Sequence, residues 1–215
     1  MYTPPAFRLE DRDAAVALMR ENAFAILVAH RADTVEITHV PLLVETRGDE
    51  LVLRGHVARA NPIVALIVDG AAATAIFSGP HAYISPDWYA SEDQVPTWNY
   101  VAVHASGPLK ALAAEDTTGL LAELSAENET PLAPKRPWTH DKMRAGLMTR
   151  MIKGVLAFEL PVDRLEAKSK MSQNKRPEDI AGATAGLRAR GGAEDMAVAD
   201  FMERLSNGGR RDTRT

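Results

Sequence analysis

The chain has 215 residues, 46% of them hydrophobic, with 25 basic against 29 acidic side chains and a formal net charge of −4. It contains no cysteine, which excludes a disulfide framework and thiolate chemistry, and the charge argues against a surface dominated by phosphate contacts while leaving room for a local basic patch. No apolar run approaches the ~20 residues needed to span a bilayer. A chain of this length suits one large domain, or one domain with appendages, and can bury about 70% of its unfolded surface. The opening Met1-Tyr2-Thr3-Pro4-Pro5 lacks the charged-then-apolar layout of a secretory signal. The expectation is a soluble, cytoplasmic protein with no membrane association.

Leu9 to Glu21 reads as a short amphipathic helix that Asp11 is placed to cap, with Val16, Leu18 and Met19 on its apolar face. The run Phe24 to Ala29 reads as a buried strand. Thr34 to Val44 alternates weakly around Pro41 and predicts a strand with an edge or bulge there. Arg47-Gly48-Asp49-Glu50 turns into a strand over Leu51 to His56. Asn61-Pro62 then opens a helix over Ile63 to Val68, with Asn as cap and Pro at the first helical position. Ala73 to Phe77 is a further strand.

Thr97 to Ser106 alternates, with Trp98, Tyr100, Ala102 and His104 on one side and Asn99, Val101, Val103 and Ala105 on the other. Asp116 to Glu127 predicts a helix with a Leu120, Leu121 and Leu124 stripe. A second helix is expected to begin near Thr139, where Met143, Leu147 and Met151 fall at i, i+4 and i+8 as a core stripe. Val155 to Leu160 and Leu165 to Met171 read as strands. Pro177 to Arg188 and Ala193 to Leu205 read as helices separated by Gly191-Gly192, and Gly208 to Thr215 as a frayed, Arg-rich end. Short strands with helices inserted late predict a mainly β, α+β protein: an antiparallel β-barrel with peripheral helices. Residues 1–190 form its body; 191–215 supply a C-terminal helix and flexible tail.

Three stretches carry chemistry. The first runs from Gly79 to Tyr89 and from Val95 to His104, and gathers two of three Trp, three of four Tyr and two of six His. Rings beside hydroxyls and an amide suit a flat ligand with a polar edge; equally, they suit a hairpin whose rings fill a core. The second, His56-Val57-Ala58-Arg59-Ala60-Asn61-Pro62, joins a strand end to a helix start, where backbone N–H groups, the Arg59 fork and His56 could receive an anion. The plainer reading leaves Asn61 as a cap, Arg59 solvated and His56 bonded locally. The third, Lys168 to Lys175, places Lys168, Lys170 and Ser172 on one side if extended, either as part of an anion site or as a polar edge strand.

Other signatures are missing. The sequence contains no dinucleotide fingerprint, no phosphate-loop Gly-Lys-Ser/Thr and no His-Glu-x-x-His helix. The histidines, at 30, 39, 56, 81, 104 and 140, lack the close pairing of a preformed zinc site, so no metal is assigned. The basic residues near Arg188, Arg190, Arg210 and Arg211 are diluted by acids, and no helix-turn-helix stands out.

Taken together, Gly55 to Pro62, Gly79 to Tyr89, Val95 to His104 and Lys170 to Asn174 resemble the PaiB-like family of FMN-binding negative transcriptional regulators. The resemblance runs from about Met1 to about Leu187. Met171 stands where the family has Leu, a volume-conserving change, and Ala167 stands in place of a Gly. The family in turn resembles the flavin reductase and pyridoxamine-phosphate oxidase split barrels, which are homodimers with FMN at the subunit interface. The resemblance implies a phosphate near His56, Arg59, Ala60 and Asn61, with Lys170, Ser172, Gln173 and Asn174 as further cofactor contacts. It also implies an isoalloxazine near Thr97, Trp98 and Asn99, with His81, Trp88 and Tyr89 on its outer face or from the partner subunit.

Three functions compete. The first is a flavin-binding repressor acting on DNA directly or through another protein. The second is an FMN-dependent oxidoreductase or flavin reductase, in which His81, His104 or Tyr83 could give the proton. The third is a barrel that binds haem or another ligand. The residues leave the catalytic groups, and whether the protein is an enzyme, unassigned.

Overall fold

The structure, a computed structural model, describes residues 1–208, so the frayed end expected over Gly208–Thr215 falls, from residue 209 onward, outside the described residues. Its elements in chain order are α1 (Arg12–Glu21), β1 (Phe24–Arg31), β2 (Thr34–Pro41), β3 (Leu43–Arg47), β4 (Glu50–Ala58), α2 (Ile63–Val68) and β5 (Ala72–Ile84). There follow β6 (Thr97–Pro108), β7 (Lys110–Ala111), α3 (Asp116–Glu129), α4 (Leu147–Ile152), β8 (Val155–Pro161), β9 (Arg164–Lys170), α5 (Pro177–Arg190) and α6 (Ala193–Gly208). The strands form two sheets, ordered β2-β1-β5-β6-β9 and β3-β4-β8-β7. The observed pairings are antiparallel. This is the expected β-rich α+β architecture.

The chain divides into two compact units interleaved in sequence. One comprises Met19–Phe77 and His104–Leu165; the other comprises Met1–Leu18, Ser78–Val103 and the chain from Glu166 onward.

In the first of these units, β1 alternates as the pleat demands, burying Ala25, Leu27 and Ala29. β2 lies at the edge of its sheet, where a strand tolerates proline, and ends at Pro41 opposite Phe24. The bulge expected at Pro41 is a change of sheet: Leu42 N–H donates to Ala23 O, and β3 continues in the other sheet. Leu120 and Leu124 of α3 bury against Leu43 and Ala157, as their stripe predicts. Each such leucine contributes about 1.5–3 kcal/mol by leaving water.

The helix expected from Thr139 does not form as one element. Gly146 sits before α4 with a left-handed φ of 73°, which interrupts the helical register. The Met143, Leu147 and Met151 stripe is not core either, since the first two are half-buried and Met151 is exposed.

In the other unit, Asp11 caps α1 as expected, its Oδ1 accepting from the Asp13 and Ala14 N–H groups at 2.9 and 3.1 Å. β5 runs seven residues past the expected end at Phe77, through Pro80 to Ile84. Pairing with β1 stops at Ile76, so Pro80 owes no hydrogen bond on that side. β6 alternates as predicted, with Asn99, Val101, Val103 and Ala105 buried. Among the described residues no helix is long and apolar enough to cross a membrane.

Candidate functional site

The β4–α2 junction belongs to the unit built on Met19–Phe77 and His104–Leu165. His56 lies opposite Ala157 across β4 and β8. Its Nδ1 is buried with no hydrogen-bond partner, and burial lowers its pKa below 6.5, so the ring is neutral at physiological pH. It lines a cavity of about 240 Å³ with Pro41, Leu121, Leu124, Trp138 and Met148.

Arg59 and Ala60 are exposed. The Arg59 Nε donates to Lys153 O at 3.1 Å, which fixes the base of the guanidinium. Asn61 does cap: its Oδ1 accepts from the Ile63 N–H at 3.1 Å, while its Nδ2 donates to Thr38 Oγ1 at 3.0 Å. The backbone N–H groups of Arg59, Asn61 and Val64 bond to Gly154 O, Ala58 O and Asn61 O. The open backbone cradle expected here is therefore largely filled by the protein itself. What the junction offers an anion is the Arg59 fork and a neutral imidazole.

The other ten sequence-predicted residues lie in the second unit. Trp98 on β6 is 54% exposed. His81 and Tyr83 of β5 stand beside it, with ring centroids 6.2 and 6.1 Å from the indole. His81 is further held by Glu194, whose Oε2 accepts from the His81 backbone N–H at 3.1 Å. These rings form an exposed aromatic surface, not a filled core, in a chain with few aromatics.

Thr97 Oγ1 accepts a hydrogen bond from the Lys170 ammonium. Asn99 is fully buried and exchanges hydrogen bonds with Ser172, and its Nδ2 also lies 3.4 Å from the Met202 sulfur. β9 ends at Lys170, and Ser172 adopts a left-handed φ of 60°, so the extended run of Lys168, Lys170 and Ser172 stops before the serine. Gln173 clamps this turn, accepting from the Met171 N–H at 2.7 Å and donating to Ser169 O at 2.6 Å. Asn174 is exposed beyond it.

Trp88 and Tyr89 are placed by α5 and the turn. A Cβ at Gly186 would come within 2.2 Å of the Trp88 ring, and one at Gly182 within 2.0 Å of the Trp88 carbonyl oxygen. The helix approaches the tryptophan this closely because both positions are glycine. Arg190 covers the same indole at 5.4 Å. Tyr89 is buried, its hydroxyl unpartnered, with the Lys175 ammonium 5.2 Å from its ring.

The structure thus brings together Thr97 with Lys170, Asn99 with Ser172, and His81 with Trp98. It also reveals Lys175 and Tyr83 as neighbours of these groups. Tyr83 lies within the Gly79 to Tyr89 stretch and Lys175 closes the Lys168 to Lys175 stretch, so the sequence marks both without showing what they meet. Among the described residues no group of three or more His, Asp or Glu is arranged to hold a metal ion.

Residues 1–164 match the family described as "Putative FMN-binding domain". The chain is 30% identical to the "Protease synthase and sporulation protein PAI 2" of Bacillus subtilis over 207 residues, covering 94% of this chain and 97% of that protein. Among solved structures, it superposes on the FAD and heme binding protein from Mycobacterium smegmatis with a TM-score of 0.54 at 17% identity, over 76% of this chain and 73% of that one. The flavocytochrome Anf3 from Azotobacter vinelandii gives a TM-score of 0.54 at 11% identity, over 75% of this chain and 68% of that one. The structural likenesses establish the split-barrel fold. The sequence matches establish the family: this chain belongs to the PaiB-like family of FMN-binding domains, and FMN is its cofactor.

Proposed function

We propose that the protein is a cytoplasmic FMN-binding homodimer that acts as a negative regulator of transcription. The observation that carries the cofactor's place is the exposed Trp98 face with His81 and Tyr83 beside it. An unpaired aromatic surface of this kind suits one face of an isoalloxazine or of a partner subunit. The residues of the β4–α2 junction also fit the group. A buried imidazole nitrogen without a partner and an exposed guanidinium suit a phosphate.

In this reading Arg59 and His56 bind the phosphate, with Ala60 and Asn61 shaping the approach. Thr97, Trp98 and His81 meet the ring system. Asn99 and Ser172 keep the end of β6 in place beneath it, and Gln173 and Asn174 form the turn that follows. Trp88 anchors α5, and Tyr89 stands beside Lys175 in the turn before it. When bound, FMN supplies a two-electron redox centre; the protein's part is to bind and orient it.

The regulatory role rests on the family resemblance and on the sporulation role in the name of the Bacillus subtilis relative. Direct DNA contact would need unpaired cations. Arg188 meets Asp200 and Glu203, and Arg190 meets Asp195, so these two arginines are already neutralised. For these two residues, repression through a protein partner fits better than direct contact. Fluorescence anisotropy with upstream duplex at several salt concentrations tests this: binding no tighter than to random duplex is expected, and a sequence-specific complex would reinstate direct repression. FMN binding itself is checked by the absorbance spectrum of the purified protein and an FMN-dependent rise in Tm.

A second reading, an FMN-dependent oxidoreductase or flavin reductase, is favoured by the exposed His81 imidazole and Tyr83 hydroxyl beside Trp98. Anaerobic mixing with NADH or NADPH separates the two. A flavin that stays oxidised with both donors counts for the regulator, and rapid bleaching counts for the enzyme.

A further inference from the structure

Three lysines around the end of β9 form an unusual group. Lys168 and Lys170 share one side of the strand, and Lys175 follows the turn after it. Lys168 is only 6% exposed. Its ammonium donates to Tyr2 O at 3.2 Å and lies 4.9 Å from the Tyr100 ring centroid. Lys170 is held by the Thr97 hydroxyl and lies 5.9 Å from the Phe7 ring centroid. Lys175 donates to Gln94 Oε1 at 2.5 Å and faces Tyr89.

Every one of these partners is neutral. The charged or titratable groups acting on Lys170 are Tyr100, Lys168 and Lys175, with no carboxylate among them. Burial and the two neighbouring ammonium groups together lower the pKa of Lys170. Glu166, two residues before Lys168, is tied to the Met1 amine at 2.7 Å. Elsewhere in the same unit Arg176, Arg188 and Arg190 each meet a carboxylate.

Partly desolvated like charges without a counter-ion are unfavourable until an anion joins them. We propose that Lys168, Lys170 and Lys175 form a binding site for an oxyanion, the phosphate or carboxylate group of a small ligand. Phe7, Tyr89 and Tyr100 supply apolar walls around the ammonium groups, which strengthens their hold on an opposite charge by excluding water. The inference goes beyond the flavin reading, which gives the FMN phosphate to Arg59 and His56: the anion here is a separate molecule.

The test is calorimetric titration of the full chain with inorganic phosphate at constant ionic strength, with and without saturating FMN. Saturable binding is expected, weakened at least tenfold in Lys170→Gln and in Lys175→Gln. Both positions are partly exposed, so these variants fold even where substitution of the buried Lys168 does not. Phosphate binding should persist at saturating FMN; its loss on adding FMN would give the site to the cofactor and overturn the proposal of a separate anion. No saturable phosphate binding, or equal binding by the unmodified protein and both glutamine variants, overturns the proposal. FMN titration of the unmodified protein, read by flavin fluorescence, judges the flavin reading separately.

Discussion

Asn99 and Ser172 are hydrogen-bonded in both directions: the Asn99 Nδ2 donates to Ser172 Oγ at 3.0 Å, and that hydroxyl donates to Asn99 Oδ1 at 3.2 Å. Both side chains are buried, so neither has water to fall back on. Asn99→Ala should cost about 1–3 kcal/mol, because it strands a buried hydroxyl. Ser172 also carries a left-handed φ of 60°. Ser172→Gly should therefore be milder than Ser172→Ala by about 1 kcal/mol, since only alanine keeps the backbone penalty. Urea denaturation of the three variants checks the order, and equal midpoints for the two serine variants would refute it.

The contact of Trp88 with α5 leaves no room for a methyl group. Gly186→Ala would press on the indole, which can shift at a cost of about 1–3 kcal/mol. Gly182→Ala meets the Trp88 backbone carbonyl instead, which cannot turn aside, and should be the more damaging of the two. Thermal melts decide it. Two alanine variants as stable as the parent would show that α5 stands further from Trp88.

Arg59 and Trp98 are exposed enough that truncation should leave the fold within about 0.5 kcal/mol of the parent. Their effect belongs to ligand binding. Arg59→Ala should weaken FMN by about ten- to a hundredfold, the size of a charge-assisted hydrogen bond. Trp98→Ala should weaken it by about three- to tenfold through lost stacking. Fluorescence titration with FMN measures both, and unchanged affinity in either variant removes that residue from the cofactor's contacts.

His56 gives stability a pH dependence of definite sign. Burial lowers its folded pKa below the ordinary 6.5, so between those two values the unfolded chain binds more protons than the folded one. Stability therefore rises with pH through that window and is lost as pH falls below about 6.5. Replacing His56 with Gln should flatten this part of the curve. A phosphate at the same nitrogen would favour the charged ring, so the slope should also shrink when FMN is bound. Urea midpoints measured across that pH range, with and without FMN, check both effects.

Much of the architecture is legible in the sequence, because period-2 and period-3.6 patterns report which face is buried. The alternation of β6 and the Asp11 cap are local properties, and the structure keeps both. The β5 boundary is not legible, because Gly79-Pro80 signals a turn unless the strand is known to lack a partner on that side. The stripe of Met143, Leu147 and Met151 misleads because Gly146 breaks the register that makes i, i+4 neighbours meet. The binding stretches are visible as unusual chemistry, but their partners are not. Trp88 meets Gly182 and Gly186, far along the chain, and no local pattern reports such a pairing.

The packing of Trp88 against bare helix backbone has an optical consequence. The three indoles occupy different settings: Trp88 lies pressed on α5, Trp98 is 54% exposed, and Trp138 is 38% exposed beside α3. Their emission should separate by colour and by access to a soluble quencher, with Trp88 the most sheltered. Variants that keep one tryptophan at a time would then give each region its own intrinsic lamp, with Trp98 dimming first as a flavin settles near it.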